Sequence, residues 1–262
     1  MIFSFVNLKG GVGKSSIAFN LASFLHSRLF SVLAIDLDPQ ANFSSLSRSS
    51  SSLSSFRLLL GDEPVDSLIS TLPNSFHLIP ASFELNAVDE LLLPSAPLHL
   101  RASVLRSRLA PILHSYDFII IDTPPHLRLL SLNALVASDK VVVPVLPDSF
   151  SSNALIELSK VVDLVRSSLN PNLFIDGVLL SRFLPRTRLS RSILPVFQKV
   201  ASSLSTKVYN AKIRDSVRLS EANSSLCSIF DFDPSSPVAA DFISFFHELL
   251  GGDLIEKKFD LS

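Results

Sequence analysis

Three of the chain's seven glycines, Gly10, Gly11 and Gly13, fall within four positions, directly after an apolar run and directly before a helical pattern. The order of strand, glycine turn and helix leaves few folds open. Backbone N–H groups in such a loop turn inward around an anion, and the first turn of the helix adds the positive end of its dipole there. Lys14 then supplies a point charge for the outer phosphates of a nucleotide, and the Ser15 hydroxyl is placed to ligate Mg²⁺. The general pattern G-x-x-x-x-G-K-[ST] wants glycine at position 8, but Leu8 stands there and an additional lysine, Lys9, follows it. The bland alternative is a glycine turn capped by Ser15 beside two solvated lysines. The required order of elements argues against it.

The rest of the chain repeats the alternation. Strands are expected over Ile2 to Asn7, Val32 to Asp36, Phe76 to Pro80, Phe118 to Asp122, Val141 to Val145, Leu173 to Ser181 and Val208 to Ile213. Several are apolar along their whole length, as strands covered on both faces must be. Between them lie helical patterns such as Ile17, Leu21, Phe24 and Leu25, which share one face. The reading is α/β: a single P-loop domain over 1–262, its mostly parallel, doubly wound sheet covered by helices on both faces, with a short tail at 251–262. Pro144 lacks a ladder N–H, so Val141 to Val145 is expected to be an edge strand or to end there. The serine-rich stretch 44–55 reads as a solvated loop or the polar face of a short helix. Cys227, the one cysteine, can form no internal disulfide. With 47% hydrophobic residues and no apolar run of membrane-spanning length, a cytosolic protein with a sizeable core is expected.

Two carboxylate sites point to the same sheet edge. One strand runs into Asp36-Leu37-Asp38-Pro39-Gln40 and another into Asp122-Thr123-Pro124-Pro125. Carboxyl ends of parallel strands are where open α/β sheets bind ligands. Asp122 is the candidate carboxylate for Mg²⁺, held through water, with Asp36 also near the metal; Asp38 is the candidate for orienting an attacking water. Charge is distributed unevenly too. The whole chain is at −1, yet residues 182 to 218 hold nine Arg and Lys against Asp215 alone. Such a stretch is the footprint of a phosphate-backbone surface, with a solvated face paired to acids elsewhere as the alternative.

The string Lys9-Gly10-Gly11-Val12-Gly13-Lys14-Ser15-Ser16 resembles the deviant Walker A motif of the ParA/MinD ATPases, and D-L-D-P-Q and I-D-T-P-P resemble the ParA branch. Similarity continues through Gly177 to Leu180, Arg186 to Ser190, Lys212 to Arg214 and Val217 to Ala222, over about residues 1 to 250. It departs at Ser224-Ser225-Leu226-Cys227, where Gly-Lys-Pro is common, and around Ser181-Arg182. The resemblance implies ATP and Mg²⁺ as cofactors, and a catalytic set of Lys9, Lys14 and Asp38. In it Lys9 reaches the partner's nucleotide across an ATP-bound homodimer. Arg182, Ile213 and Asp215 join the loop in holding the nucleotide, while Arg186, Arg188, Arg191, Arg214 and Arg218 contact DNA without sequence preference. A ParB-like centromere-binding partner would stimulate hydrolysis, in a cytoplasmic protein that is nucleoid-associated when ATP-bound. A MinD-like membrane switch would need a basic amphipathic terminal helix. Here Val238, Phe242, Phe245, Phe246 and Leu249 come with Asp241 and Glu248 and stop at Gly251-Gly252, a pattern that predicts packing onto the core. A nucleotide-binding scaffold without turnover is the other alternative.

Overall fold

The computed structural model describes residues 1–48, 53–72, 75–92, 96–148, 151–184 and 187–251, without the side chains of Arg188, Leu189 and Arg191. Seven strands are formed: β1 Ile2–Phe5, β2 Val32–Asp36, β3 Ser70–Thr71, β4 His77–Ile79, β5 Phe118–Asp122, β6 Lys140–Val145 and β7 Phe174–Leu180. They lie in one sheet of order β3-β4-β2-β5-β1-β6-β7, parallel throughout except for the short β3 against β4. The helices are α1 Lys14–Ser27, α2 Asn42–Leu46, α3 Ser55–Leu60, α4 Val88–Leu91, α5 Leu98–Ala102, α6 Val104–Leu109, α7 Leu129–Ala137, α8 Ser151–Ser168, α9 Arg188–Ser203, α10 Val217–Ser224, α11 Ile229–Phe232 and α12 Pro237–Leu250.

Strict alternation along the strands divides the core into two layers. Leu33, Ile35, Ile119, Ile121, Val141, Val143 and Val145 face a layer that includes residues of α3 and of α5 to α9. Phe3, Phe5, Val32, Ala34, Phe118 and Ile120 face the other, built by α1, α11 and α12. The second layer is rich in aromatic contacts; Phe24, for example, meets Phe246 at 5.2 Å and Phe230 at 5.6 Å between ring centroids. Val238, Phe242, Phe245, Phe246 and Leu249 of α12 are all buried, so the terminal helix packs onto the sheet as its charge pattern predicts. Among the described residues no helix is long and apolar enough to cross a membrane.

Three expectations are corrected. First, Pro144 does not mark an edge: it lies in β6, an inner strand flanked by β1 and β7, although that strand does end one residue on, at Val145. The ladder to β1 closes with the Val6 N–H donating to the Val142 carbonyl, and the Pro144 carbonyl then accepts from the Asn7 side-chain amide. A proline at the end of the paired stretch removes a single ladder bond. Second, residues 208–213 form no regular strand. Val178 bridges Val208 and Phe183 bridges Arg214, and the Tyr209 and Ile213 N–H groups donate to the Val178 and Leu180 carbonyls of β7, but between them the Asn210 and Ala211 N–H groups donate to the Glu248 carboxylate of α12. The segment therefore pairs with the sheet edge in places without forming a continuous ladder. Third, the described part of the serine-rich stretch is not simply solvated: Ser44, Ser54 and Ser55 are buried, while 49–52 lie outside the described residues.

The edge segment is also held by a close approach at Gly177, where an added Cβ would stand 2.6 Å from the Tyr209 ring. Tyr209 cannot yield easily, because its hydroxyl donates to Asp176 at 2.6 Å and its ring packs edge-on to Phe245. Gly177→Ala is therefore expected to destabilise the chain by about 1–3 kcal/mol, the usual cost of overpacking. Urea denaturation of the two proteins measures it, and an unchanged midpoint contradicts the packing account.

Candidate nucleotide-binding site

The loop between β1 and α1 lies at the carboxyl edge of the sheet, with β5 and β6 on either side of β1. Gly11 and Gly13 adopt φ of +73° and +86°, a left-handed conformation that costs a residue bearing a Cβ about 1–2 kcal/mol. The cradle is open: a Cβ at Gly10 or Gly11 would meet nothing within 4 Å. The loop residues Gly10 to Ser16 line a cleft of about 550 Å³, closed on other sides by Asp38, Gln40, Asn42, Pro125 and Asn223 among others.

Below the loop, three acids and a lysine are packed together. Register places Asp36 and Asp122 side by side at the ends of β2 and β5, both fully buried. Lys14 is 7% exposed, and burial pushes its ammonium below the usual lysine range against the opposing pull of Asp122 and Asp38. Its Nζ donates to the Asn7 carbonyl at 3.4 Å. Burial raises Asp36 to about 6, opposed by three bonds: Oδ2 accepts from the Ser44 N–H and hydroxyl, and Oδ1 from the Asp38 N–H. Burial and then the neighbouring Asp36 push Asp122 well above the usual carboxylate range. Neither Asp122 oxygen has an aligned hydrogen-bond donor, although the Ser15 hydroxyl and Lys14 lie close enough to favour its ionised form.

A buried carboxylate with two unsatisfied oxygens beside a serine hydroxyl suits a divalent cation. Among the described residues no group of three His, Cys, Asp or Glu could hold a metal alone. A cation here would take its remaining ligands from phosphate and water, which is the habit of Mg²⁺. Asp36 differs from Asp122 in this respect, because the chain itself already occupies three of its acceptor positions.

The residues expected around the base also converge. Arg182, Ile213 and Asp215 line a second hollow of about 240 Å³ that shares Val12, Gly13, Ser16 and Asn223 with the first. Arg182, at φ +51°, donates from Nε to Asp215 at 3.1 Å. Lys9 is not free in this conformation: its Nζ forms an ion pair with Asp148, whose other oxygen accepts from the Ser151 N–H and hydroxyl at the start of α8. Burial works against the Asp148 carboxylate, but the Lys9 and Ser151 bonds together hold its proton affinity below the usual range.

Of the basic candidates, Arg214 grips Asp241 of α12 with Nε and Nη2 at 2.6 and 2.7 Å. Arg218 on α10 meets Glu221 at 3.1 Å and Asp233 at 3.3 Å yet stays 59% exposed. Arg186 and the side chains of Arg188 and Arg191 lie outside the described residues. The sequence reading missed Asp148, Ser44 and Asn223. An Asp three residues before a serine at a helix start is a capping signal that could have flagged Asp148.

A model of the AAA domain family AAA_31 matches residues 1–175. The sporulation initiation inhibitor protein Soj of Bacillus subtilis is 35% identical over 252 residues, covering 95% of this chain and 97% of its own. The chromosome partitioning protein ParA of Myxococcus xanthus is 33% identical over 251 residues, covering 94% and 87%. Among solved structures, cobyrinic acid a,c-diamide synthase from Mycobacterium smegmatis with bound ATP analogue and magnesium superposes with a TM-score of 0.81 at 27% identity, covering 95% of this chain and 93% of that one. A family match over two thirds of the chain, near full-length likeness to Soj and ParA, and a phosphate loop at the carboxyl edge of a parallel sheet lead to one assignment: the chain belongs to the Soj/ParA family of P-loop ATPases.

Proposed function

We propose that this chain is a DNA-partitioning ATPase. In this reading it binds ATP and Mg²⁺, closes as a homodimer around the nucleotides, holds DNA without sequence preference, and lets go after hydrolysis stimulated by a ParB-like partner. The observation that carries the reading is the buried, donor-poor Asp122 beside Ser15 and Lys14 under a doubly lysined glycine loop. Full-length relatives named for chromosome partitioning support it.

The placement of each residue supports a role. The loop N–H groups and the α1 terminus cradle phosphate oxygens. Lys14 places a poorly solvated positive charge against them, which is stronger for lack of competing water. Ser15 and Asp122 would hold the cation, with Asp36 the next carboxylate in register, and the ion would supply positive charge there against the phosphates. Asp38 accepts from the Gln40 N–H at one oxygen and lines the cleft, a position suited to aligning a water. Lys9, being exposed in part and with its ammonium paired to Asp148, can exchange that partner for a phosphate on a second subunit. For DNA, the net positive stretch 182–218 is the supporting feature; Arg188 and Arg218 are preferred, with Arg186, Arg191 and Arg214 secondary. Asp241 holds Arg214 two-pronged, while Arg218, though paired with Glu221 and Asp233, is the more exposed of the two.

Lys14→Ala should lower ATP affinity by about a hundredfold, whereas Asp38→Ala should leave affinity nearly intact and slow stimulated turnover by about 10²-fold, the range of a lost proton-transfer or water-aligning group. Equilibrium binding and phosphate release measure both. Parent-like turnover in Asp38→Ala would remove that residue from the reaction.

Lys9→Ala should bind nucleotide as a monomer but weaken ATP-dependent dimerisation by about tenfold or more, as expected for a lost charge-assisted hydrogen bond. Analytical ultracentrifugation with ATP and with ADP reads this directly. Normal dimers in the variant contradict a role across the interface.

Arg218→Glu should weaken DNA binding by about tenfold or more while ATP binding persists, and parent affinity should fall as salt rises whatever the duplex sequence. Anisotropy titrations on two unrelated duplexes, with ATP or ADP, test it. A preference for one duplex, or equal binding with ADP, counts against the reading.

A further inference from the structure

Among the described residues, the cleft under the phosphate loop and the hollow lined by Arg182, Ile213 and Asp215 share four: Val12, Gly13, Ser16 and Asn223. Three of these belong to the loop and the start of α1. Asn223 alone comes from elsewhere, from the last turn of α10, so it is the one side chain outside the loop that borders both spaces. A nucleotide with its phosphates in the first space and its base in the second must pass its sugar and α-phosphate through this junction.

The hydrogen bonding of Asn223 determines what it can offer there. The Ser16 hydroxyl donates to Asn223 Oδ1 at 3.2 Å. With its oxygen so engaged, the carboxamide presents two N–H donors, and among the described residues no protein acceptor takes them. The side chain is partly exposed, so a ligand can reach it. Its carbonyl accepts from the Leu226 N–H at 3.1 Å, and the segment that follows is tied down in turn: the Arg48 guanidinium donates to the Ser225 carbonyl at 2.9 Å, and the Asn20 side chain accepts from the Ile229 N–H at 2.8 Å. Leu226, which also lines the cleft, is held at φ +53°, a left-handed conformation uncommon for leucine. Such strain is retained where surrounding contacts over-determine the backbone, and it often accompanies a working site.

We propose that Asn223 is a nucleotide-contacting residue that donates its carboxamide N–H groups to oxygens of the sugar and α-phosphate. The inference rests on the nucleotide-binding reading above and adds to it a contact from α10, the helix that also carries Arg218. Because the contact lies on the near side of the β-phosphate, it serves ADP and ATP alike.

The test is calorimetric titration of the full chain with Mg·ADP and Mg·ATP. Asn223→Ala should weaken both by about tenfold, the loss expected for hydrogen bonds to a charged acceptor. Asn223→Asp keeps an acceptor for Ser16 and the same shape, but replaces the donors with a like charge, and should lose more than Asn223→Ala does. That additional loss should survive 0.5 M salt, which screens distant charges but not a contact. Thermal denaturation without nucleotide monitors folding. Asn223→Ala binding ADP within twofold of the parent overturns the proposal, as does an effect confined to ATP. A parent chain that binds neither nucleotide overturns the function reading as well, while Lys14→Ala failing beside an unaffected Asn223→Ala overturns this inference alone.

Discussion

Two carboxylates, Asp36 and Asp122, end adjacent parallel strands in register with no access to water, and the carboxyl edge of the sheet is organised around keeping them there. A buried ionised carboxylate is stable only when charges or donors replace its hydration. The chain answers the requirement differently at the two positions. Asp36 is satisfied from within, by Ser44 and by the Asp38 N–H, and those bonds fix α2 and the β2 loop against the sheet. Ser55 strengthens the same corner, donating to the Asp36 carbonyl at 2.6 Å. Among the described residues Lys14 and Ser15 favour the charge of Asp122, and neither of its oxygens accepts an aligned hydrogen bond.

That asymmetry explains how much of the site was legible in the sequence. The phosphate loop could be read because strand, glycine turn and helix are contiguous, and the two Asp positions because each follows an apolar run. The shared local pattern, an apolar run ending in Asp, could not reveal that Asp36 is satisfied by the chain and Asp122 is not. The difference lies in Ser44, eight residues from Asp36, inside a stretch whose composition suggests a solvated loop. Composition describes the average residue of a segment, while burial is decided residue by residue, by what each serine finds opposite it.

The fold shows the same division between local and distant information. Strand identity followed from apolar runs and alternation, and six of the seven expected strands formed. Pro144 ends its strand within a residue but does not mark an edge, because β1 and β7 flank β6 and the Asn7 side chain, 137 positions away, takes the Pro144 carbonyl. Residues 208–213 have the composition of a strand, but Glu248, about forty positions later, takes the N–H groups that a ladder would need. The ion pair of Lys9 with Asp148 spans 139 positions and was equally invisible. In each case the deciding partner is far away in sequence.

Helix α1 has a mechanical consequence. Lys14, Ile17, Ala18, Phe19, Asn20, Leu21, Ala22, Phe24 and Leu25 are buried, so nearly the whole circumference of the helix is in contact with protein. A rod enclosed on all sides in a close-packed interior has no soft direction, since any displacement opens voids behind it and forces overlap ahead. The floor of the phosphate loop is thus held rigidly. Work done on the chain by an anion at that floor must appear as motion of pieces with an exposed flank: the turn bearing Lys9, the strand-end loops after β2 and β5, and the α10 rim. The anvil stays still, and the periphery carries the stroke.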